Sequence, residues 1–265
     1  MCITRPDREN GLTWPTNILQ VLAVFILVTF TVVHFVLVLQ YTYGVFFYLM
    51  MITSTIFCAA TVISKTVCTL SNPADRSLIK DPKSTYGKEK PLFDRAKQGH
   101  VINTDNYCQI CTTTVDVSSR HCSQCQKCIL RFDHHCDYIN NCVGRRNYKY
   151  YITLLMSASI YSLIVFTNIL YIIYHFCFME TQFFKILGRD HPTIFGYKVS
   201  SATIISLLVI FLVLAVIAFI WSQISADFIF ILFGTAGQRG IIMLDPKLSG
   251  NSIPIGNTRR NEMVE

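Results

Sequence analysis

One segment of the sequence concentrates residue types that bind metals or attack electrophiles. Residues 108–142 contain seven cysteines, His121 and an Asp-His-His-Cys run at positions 133–136. Cys-x2-Cys spacing lets two thiolates reach one ion, and thiolates with imidazole suit zinc rather than magnesium or calcium. Without His134 and Cys136, six cysteines and two histidines remain, enough for two Cys3His sites. The surplus of Asp133, His134 and Cys136 indicates an enzyme rather than a plain zinc finger.

The surplus residues have the types needed for nucleophilic catalysis by a thiolate. A cysteine near its ordinary pKa of about 8.5 is mostly protonated at neutral pH and needs a base. His134 can take the proton of Cys136, and Asp133 can orient the imidazole and stabilise its cationic form. We therefore predict a catalytic triad of Cys136, His134 and Asp133; a seventh structural ligand or a spare thiol is the alternative for Cys136.

Composition places this segment in a membrane protein. The chain has 265 residues, of which 52% are hydrophobic and only 15% charged, whereas soluble domains have about 25% charged residues. Residues 13–64 contain no Asp, Glu, Lys or Arg, and about 20 apolar residues suffice to span a bilayer. Cysteines in paired metal-ligand spacing favour zinc over disulfides in a reducing compartment.

We predict an all-α integral membrane protein with four transmembrane helices and a cytosolic two-zinc Cys/His-rich domain between helices 2 and 3. The spans are expected at about 17–40, 43–67, 148–178 and 200–224, with apolar residues continuing to Phe233. The expected regions are a cytosolic N-terminus (1–16), helices 1 and 2 (17–67), a loosely structured cytosolic connector (68–107), the Cys/His-rich domain (108–147), helices 3 and 4 (148–233) and a cytosolic tail (234–265).

The net charge of +7 is explained by the membrane topology. Thirteen of the 23 Lys and Arg residues lie between Leu70 and Tyr150, which is the positive-inside pattern of a cytosolic segment. The same charges are compatible with docking of anionic lipid. A nucleic-acid-binding protein would have a soluble basic helix, or aromatic side chains that stack on bases, beside the Cys-x2-Cys pairs. We therefore expect no nucleic-acid partner.

The motifs resemble those of a known family. The Asp-His-His-Cys run, the upstream Cys-x2-Cys pairs, the segment Asn140-Asn141-Cys142-Val143-Gly144 and Asn147 look like the cysteine-rich domain of the DHHC protein S-acyltransferases, or palmitoyltransferases. Asn72-Pro73-Ala74-Asp75 and Asn10-Gly11-x-Thr13-Trp14-Pro15 are similar to the DHHC-1/DHHC-11-like branch.

The resemblance implies a mechanism and a set of metal ligands. Cys136 would attack a fatty acyl-CoA thioester, form an acyl-enzyme and pass the acyl group to a cysteine of a substrate protein, with His134 as base and Asp133 as its partner. His135 would be a zinc ligand. One zinc ion would take Cys108, Cys111, His121 and Cys128, and the other Cys122, Cys125, His135 and Cys142.

Candidate acyl-CoA contacts lie just after the catalytic segment. Arg145, Arg146 and Lys149 are either contacts for CoA phosphates or interfacial anchors. Tyr161 lies 14 residues after Asn147, which is about 21 Å along a helix and close to the length of a sixteen-carbon chain. We hypothesise that Tyr161 lies near the floor of an acyl cavity; an ordinary packing tyrosine is the alternative.

The sequence departs from the family in three places. The stretch Thr112 to Arg120 lacks the usual Lys-Pro, and Asp137-Tyr138 replaces Pro-Trp after Cys136. The charge of Asp137 is expected to raise the pKa of Cys136 and slow its attack. The third departure is the missing Thr-Thr-x-Glu element after span four, whose nearest match is Ser225-Ala226-Asp227-Phe228.

The function predicted is acyl transfer from acyl-CoA to cytosolic or membrane-associated proteins, in an endomembrane such as the endoplasmic reticulum or the Golgi. The alternative is a catalytically weak or inactive zinc-stabilised adaptor that recruits signalling proteins.

Overall fold

The computed structural model describes residues 7–88, 90, 100–178, 193–194, 197–198, 200, 203–213 and 216. Three of its helices are long and apolar enough to cross a membrane, at Ile18–Tyr41, Gly44–Leu70 and Tyr148–His175. These helices lie where the first three spans are predicted. Of the fourth predicted span, the structure describes the helix Thr203–Val213, and most of the remainder lies outside the described residues.

The first two spans form a helical hairpin. Helix α1 (Ile18–Val32) continues through a π-helical turn (Val33–Val38) and a 3-10 turn (Leu39–Tyr41). Helix α2 (Gly44–Leu70) starts after two linking residues. Gly44 makes this reversal possible, because its φ of +61° is unfavourable for residues with a side chain.

The membrane helices bury one apolar face together and turn the other outward. Helix α4 (Tyr148–Phe178) packs along α2, and helix α5 (Thr203–Val213) adds Ile204, Leu208 and Phe211 to their common core. Large apolar side chains such as Phe25 and Val45 remain exposed, at 66% and 85%. Outward apolar faces on helices of this length suit a lipid environment.

The connector after α2 is more ordered over its first half than we predict from its turn-rich sequence. Helix α3 (Arg76–Lys80) begins at Asp75, a buried residue whose carboxylate caps the helix. The same carboxylate accepts hydrogen bonds from Asp116 N at 3.0 Å and from Ser119 Oγ. Burial opposes ionisation of Asp75, yet these hydrogen bonds leave its pKa below the ordinary value. Residues 91–99 of the connector lie outside the described residues.

The domain between α2 and α4 contains strands, which the all-α prediction did not include. Three antiparallel hairpins follow one another. Their strands are β1 (Tyr107–Cys108) with β2 (Thr113–Thr114), β3 (Arg120–Cys122) with β4 (Lys127–Ile129), and β5 (His134–Cys136) with β6 (Asn141–Val143). Strands of two or three residues are too short to show a period-two hydrophobic pattern, so they cannot be predicted from the sequence.

The segment between the third and fourth predicted spans is described only in part. It contains the short hairpin β7 (Thr193–Ile194) with β8 (Tyr197–Lys198). The predicted tail, 234–265, lies outside the described residues. The ends of α2 and α4 that meet the three hairpins are Leu70 and Tyr148, so the Cys/His-rich domain sits at one end of the helices.

Candidate metal and thiol centre

The three hairpins repeat with a period of 14 residues. Cys108, Cys122 and Cys136 occupy the same position, at the end of the first strand of each hairpin. Each turn ends on a residue with left-handed backbone before the second strand begins: Thr112 at φ 52°, Gln126 at 56° and Asn140 at 51°. The Cys-x2-Cys pair itself occurs only in the first two hairpins, so the third copy shows in the sequence only when the chain is compared with itself at this period.

The first metal-binding group joins the first hairpin to the second. Its ligand atoms, from Cys108, Cys111, His121 and Cys128, all lie within 4.8 Å of one another. His121 Nδ1 is 3.7, 3.4 and 3.8 Å from the sulfurs of Cys108, Cys111 and Cys128. Zinc–sulfur bonds of about 2.3 Å and zinc–nitrogen bonds of about 2.0–2.1 Å separate sulfur and nitrogen by about 3.6 Å in a tetrahedron. The geometry therefore fits a zinc ion.

The second group joins the second hairpin to the third in the same way. It contains Cys122, Cys125, His135 and Cys142, again within 4.8 Å. His135 Nδ1 lies 3.8, 3.3 and 3.5 Å from the three sulfurs. Because the β3–β4 hairpin supplies ligands to both groups, the two sites interleave and fix the three hairpins relative to one another.

The chemistry of the thiols also fits a cation. Hydrogen bonds from Cys111 and Cys128 lower the pKa of Cys108, whereas the pKa of Cys111 is raised to about 12 by its hydrogen bond to Cys108. Cys122 and Cys125 repeat this split. Three sulfurs this close share protons unless a divalent cation replaces them, and a zinc ion allows all three to be thiolates.

A buried lysine lies beside the second group. Lys127 is fully buried, and its ammonium donates to Glu9 O at 3.0 Å and to Asn72 Oδ1 at 2.9 Å. Burial lowers the pKa of Lys127, while the charges of Cys125 and Cys142 oppose that shift. Zinc with three thiolates carries one net negative charge, so the ammonium balances the charge of a filled site.

The third hairpin lacks the second cysteine that the other two share, Cys111 in the first and Cys125 in the second. Ile139 stands where the second hairpin has Cys125, and among the described residues neither metal group includes Cys136. Cys136 instead packs in an apolar cluster with Cys68 of α2 and with Ile139, Val143, Tyr148 and Tyr151. The repeat thus supplies one thiol without a metal site, placed where the domain meets α2 and α4.

Asp133 and His134 lie beside this thiol. Asp133 Oδ2 is 2.7 Å from His134 Nδ1, and the side chain of His134 also interacts with that of Cys136. Burial lowers the pKa of His134, but the hydrogen bonds with Asp133 and Cys136 outweigh it and raise the pKa to about 9. At neutral pH the ring therefore carries a proton, and a cationic imidazole beside a cysteine is the arrangement that activates a thiol nucleophile.

The loop after Cys136 is held by segments distant in sequence, a feature that the sequence analysis missed. Asn17 Nδ2 donates to Asp137 Oδ1 at 2.7 Å, and Lys65 Nζ of α2 donates to Tyr138 O at 2.9 Å. Asn140 Nδ2 donates to Gly11 O at 3.1 Å. Contacts across 70 to 130 residues have no local sequence signal.

Asp137 has two polar neighbours. Its Oδ1 accepts the hydrogen bond from Asn17 and lies 3.9 Å from His135 Nε2. A carboxylate near the outer nitrogen of a metal-binding histidine orients the ring and strengthens it as a ligand. The Asp137 carboxylate, whose charge is expected to act on Cys136, therefore also contacts Asn17 and lies near His135.

The predicted acyl-CoA contacts lie in two places. Arg145, Arg146 and Lys149 are exposed beside the domain; Arg146 Nη1 donates to Asn72 O at 3.0 Å, and Lys149 Nζ lies 4.9 Å from the ring centre of Tyr150. Tyr161 is buried within the helices, where its hydroxyl is 3.2 Å from His34 Nδ1. The segment Ser225 to Phe228, the nearest match to the missing Thr-Thr-x-Glu element, lies outside the described residues.

Comparison with known proteins identifies relatives of the chain. Residues 101–235 match the family described as DHHC palmitoyltransferase. The chain is 35% identical to the probable palmitoyltransferase ZDHHC11B of Homo sapiens over 176 residues, which is 64% of this chain and 45% of that protein.

Two further relatives carry similar names. Palmitoyltransferase ZDHHC11 of Homo sapiens is 33% identical over 174 residues, 64% of this chain and 40% of the relative. Palmitoyltransferase ZDHHC9 of Pongo abelii is 37% identical over 83 residues, 31% of this chain and 23% of the relative. The match to this chain spans less than half the length of each relative.

Proposed function

This chain belongs to the DHHC palmitoyltransferase family, and from that membership we propose that it is a protein S-acyltransferase. It would move a fatty acyl group from acyl-CoA, through a thioester on Cys136, to cysteines of substrate proteins. The observation that carries the proposal is the third hairpin: it repeats the metal-binding pattern but leaves Cys136 outside both metal groups, on the same strand as His134.

The first half-reaction follows from the pairing of Asp133, His134 and Cys136. The Cys136 thiolate attacks the carbonyl carbon of the thioester, and the departing CoA sulfur takes the proton from the His134 imidazolium. Asp133, 2.7 Å from His134 Nδ1, keeps the ring oriented and favours its charged form. In the second half-reaction, the neutral His134 ring takes the proton of the substrate cysteine as its sulfur attacks the Cys136 thioester.

Zinc ions in the two Cys3His groups would have a structural role. We assign one ion to Cys108, Cys111, His121 and Cys128, and the other to Cys122, Cys125, His135 and Cys142. A closed four-ligand site supplies folding free energy and keeps no open position for a substrate. Since His135 and Cys142 flank Cys136 in the third hairpin, the second site holds the hairpin that carries the thiol.

The position of Cys136 suits a substrate with one apolar and one charged part. The thiol lies where α2 and α4 meet the Cys/His-rich domain, so an acyl chain can extend among the helices while CoA stays in water. Arg145, Arg146 and Lys149 are the proposed partners of the CoA phosphates, and Tyr161 the proposed floor of the acyl cavity. The buried hydrogen bond between Tyr161 and His34 supports this floor, because it joins two helices by a polar contact deep in the bundle.

Charge distribution supports an orientation for the chain. The Lys- and Arg-rich segment between α2 and α4 is proposed to face the cytosol, following the positive-inside rule. A fourth span, of which Thr203–Val213 is the described part, would return the C-terminal region to that side. The membrane proposed is the endoplasmic reticulum or the Golgi, where cytosolic and membrane-associated proteins would be the acyl acceptors.

A labelling experiment tests the acyl-enzyme directly. The full-length protein, purified in detergent, is given labelled palmitoyl-CoA, and hydroxylamine-sensitive label is measured on wild type, Cys136→Ser and Cys58→Ser. The proposal expects label on wild type and Cys58→Ser and none on Cys136→Ser. Unlabelled wild type that still binds zinc would contradict acyl transfer and favour the adaptor function.

A further inference from the structure

A tyrosine at the start of α4 touches two members of the proposed triad. Tyr151 is 9% exposed and shares the apolar cluster of Cys136. Its ring meets the His134 ring edge-on, with centroids 5.2 Å apart and planes at 66°. Its side chain lies beside that of Cys136 in this cluster. Asp133 and His134 account for proton transfer at Cys136, but neither is a free donor for the oxygen of the thioester.

We propose that Tyr151 is a further catalytic residue, whose hydroxyl donates a hydrogen bond to the thioester oxygen as negative charge develops on it. The inference rests on the proposed acyl transfer and adds a group to the same site. It concerns the carbonyl oxygen of the acyl group, whereas the triad acts on the sulfur atoms.

The balance of the first half-reaction shows where this donor is needed. The Cys136 sulfur forms a bond to the carbonyl carbon, and the π electron pair moves onto oxygen. When that pair returns, the bond to the CoA sulfur breaks, and CoA leaves with the proton of His134. Attack removes the negative charge from the Cys136 sulfur and creates one on the oxygen, two bonds away. A donor beside the sulfur is in place to stabilise the charge on the oxygen.

The position of Tyr151 suits this change of acceptor. A hydroxyl hydrogen can turn about the C–O bond without movement of the ring, and the ring is fixed by its contact with His134 and by burial. A preorganised donor in an apolar environment acts more strongly than one in water, because no solvent competes for the oxygen. Tyrosine is also common at membrane interfaces for reasons unrelated to catalysis, so the hydroxyl must be tested separately from the ring.

The test uses Tyr151→Phe, which removes only the hydroxyl, with Tyr150→Phe as the matched control in the same helical turn. Two reactions of Cys136 are timed in detergent. The first is single-turnover acylation by palmitoyl-CoA, which creates an oxyanion. The second is alkylation by iodoacetamide, which creates none; Cys136→Ser gives the background from other thiols. Zinc content reports whether each variant is folded.

The inference expects acylation by Tyr151→Phe to slow by about tenfold to a hundredfold, within the range seen for loss of one oxyanion donor. Alkylation should stay near the wild-type rate, and Tyr150→Phe should match wild type in both reactions. Equal acylation rates for Tyr151→Phe and wild type would overturn the inference alone. So would a parallel fall in acylation and alkylation, since the hydroxyl would then act on the sulfur. A wild type that forms no acyl-enzyme would overturn the proposed function as well.

Discussion

The side-chain amide of Asn17 joins the start of the first membrane helix to the loop after Cys136, through a 2.7 Å hydrogen bond from its Nδ2 to Asp137 Oδ1. The amide oxygen of Asn17 accepts from Leu19 N at 2.9 Å and so caps α1. The Asn17 side chain therefore makes hydrogen bonds through both its nitrogen and its oxygen. The carboxylate also lies near the N-terminus of α1, where a negative charge is favoured.

Replacing the amide with a second carboxylate should weaken this connection without removing the cap. Asn17→Asp keeps a good capping oxygen but places like charges together, so the loop should shift and acylation of Cys136 should slow by about threefold to tenfold, roughly the effect of one hydrogen bond of about 1 kcal/mol. The double variant Asn17→Asp with Asp137→Asn restores a donor and an acceptor. Recovery of the acylation rate in the double variant supports the connection; no recovery, or no effect of Asn17→Asp, contradicts it.

The pH dependence of acylation should reflect the protonated form of His134. Its pKa of about 9 means that the imidazolium, which pairs with the thiolate and protonates CoA, is present at neutral pH and is lost as pH rises through about 9. The rate should therefore fall on the alkaline side near that value. Asp133→Asn removes an interaction that raises this pKa, so the fall should move to lower pH, towards about 6.5. An alkaline limit that is the same in both proteins would contradict this role for Asp133.

The interleaved ligand sets predict unequal effects of metal loss. Cys108→Ser and Cys142→Ser should each retain about one of two zinc ions, since each removes one ligand of a four-ligand site. Cys142 lies opposite His135 in the hairpin that carries Cys136, so Cys142→Ser should lose nearly all acylation, and Cys108→Ser should lose less. Metal content by mass spectrometry and acyl-enzyme formation check both points. Equal acylation in the two variants would count against the arrangement, and Cys136→Ser should keep both ions.

The N-terminal segment should also contribute to stability at one glycine. A Cβ on Gly11 would lie 2.1 Å from Ile139 O and 2.9 Å from Thr69 Cγ2, and the backbone oxygen cannot move freely because it belongs to the loop after Cys136. Gly11→Ala should lower the free energy of unfolding by about 1–3 kcal/mol, the usual cost of overpacking. Thermal unfolding in detergent measures it, with the neighbouring and exposed Leu12→Ala as control. Equal midpoints for the two variants would show that the segment is not held as the structure has it.

Local patterns in the sequence predicted some parts of this molecule well. The lengths of the apolar runs in the sequence predicted the helices at Ile18–Tyr41, Gly44–Leu70 and Tyr148–His175, because a membrane span needs only a long apolar run. Ligand spacing led to the two Cys/His groups that the structure brings together, because each knuckle closes within four residues. The family resemblance divided the ligands between the groups, which spacing alone left open.

Other parts depend on contacts between distant residues. The hydrogen bonds that Gly11 accepts from the loop after Cys136, and that Asn17 and Lys65 donate to it, could not be predicted. They exist only once the N-terminal segment and α2 lie beside the third hairpin. The protonation of His134 likewise depends on burial and on its hydrogen bonds. Tyr151 is one of several tyrosines near the start of α4. Only the structure shows that it is Tyr151, rather than Tyr148 or Tyr150, whose ring meets that of His134.

The length of the preferred acyl chain should depend on the ring of Tyr161 and not on its hydrogen bond. Tyr161 is 2% exposed, packs edge-on against Phe30 with centroids 5.6 Å apart, and bonds to His34 through its hydroxyl. If the ring closes the cavity, Tyr161→Ala should shift preference from sixteen carbons towards eighteen or more, since the removed ring opens space at about the depth that a sixteen-carbon chain reaches. Tyr161→Phe keeps the ring and should keep the wild-type preference. Competition between acyl-CoA esters of different chain length measures both variants; an unchanged preference in Tyr161→Ala would place the floor elsewhere and leave Tyr161 as a packing residue.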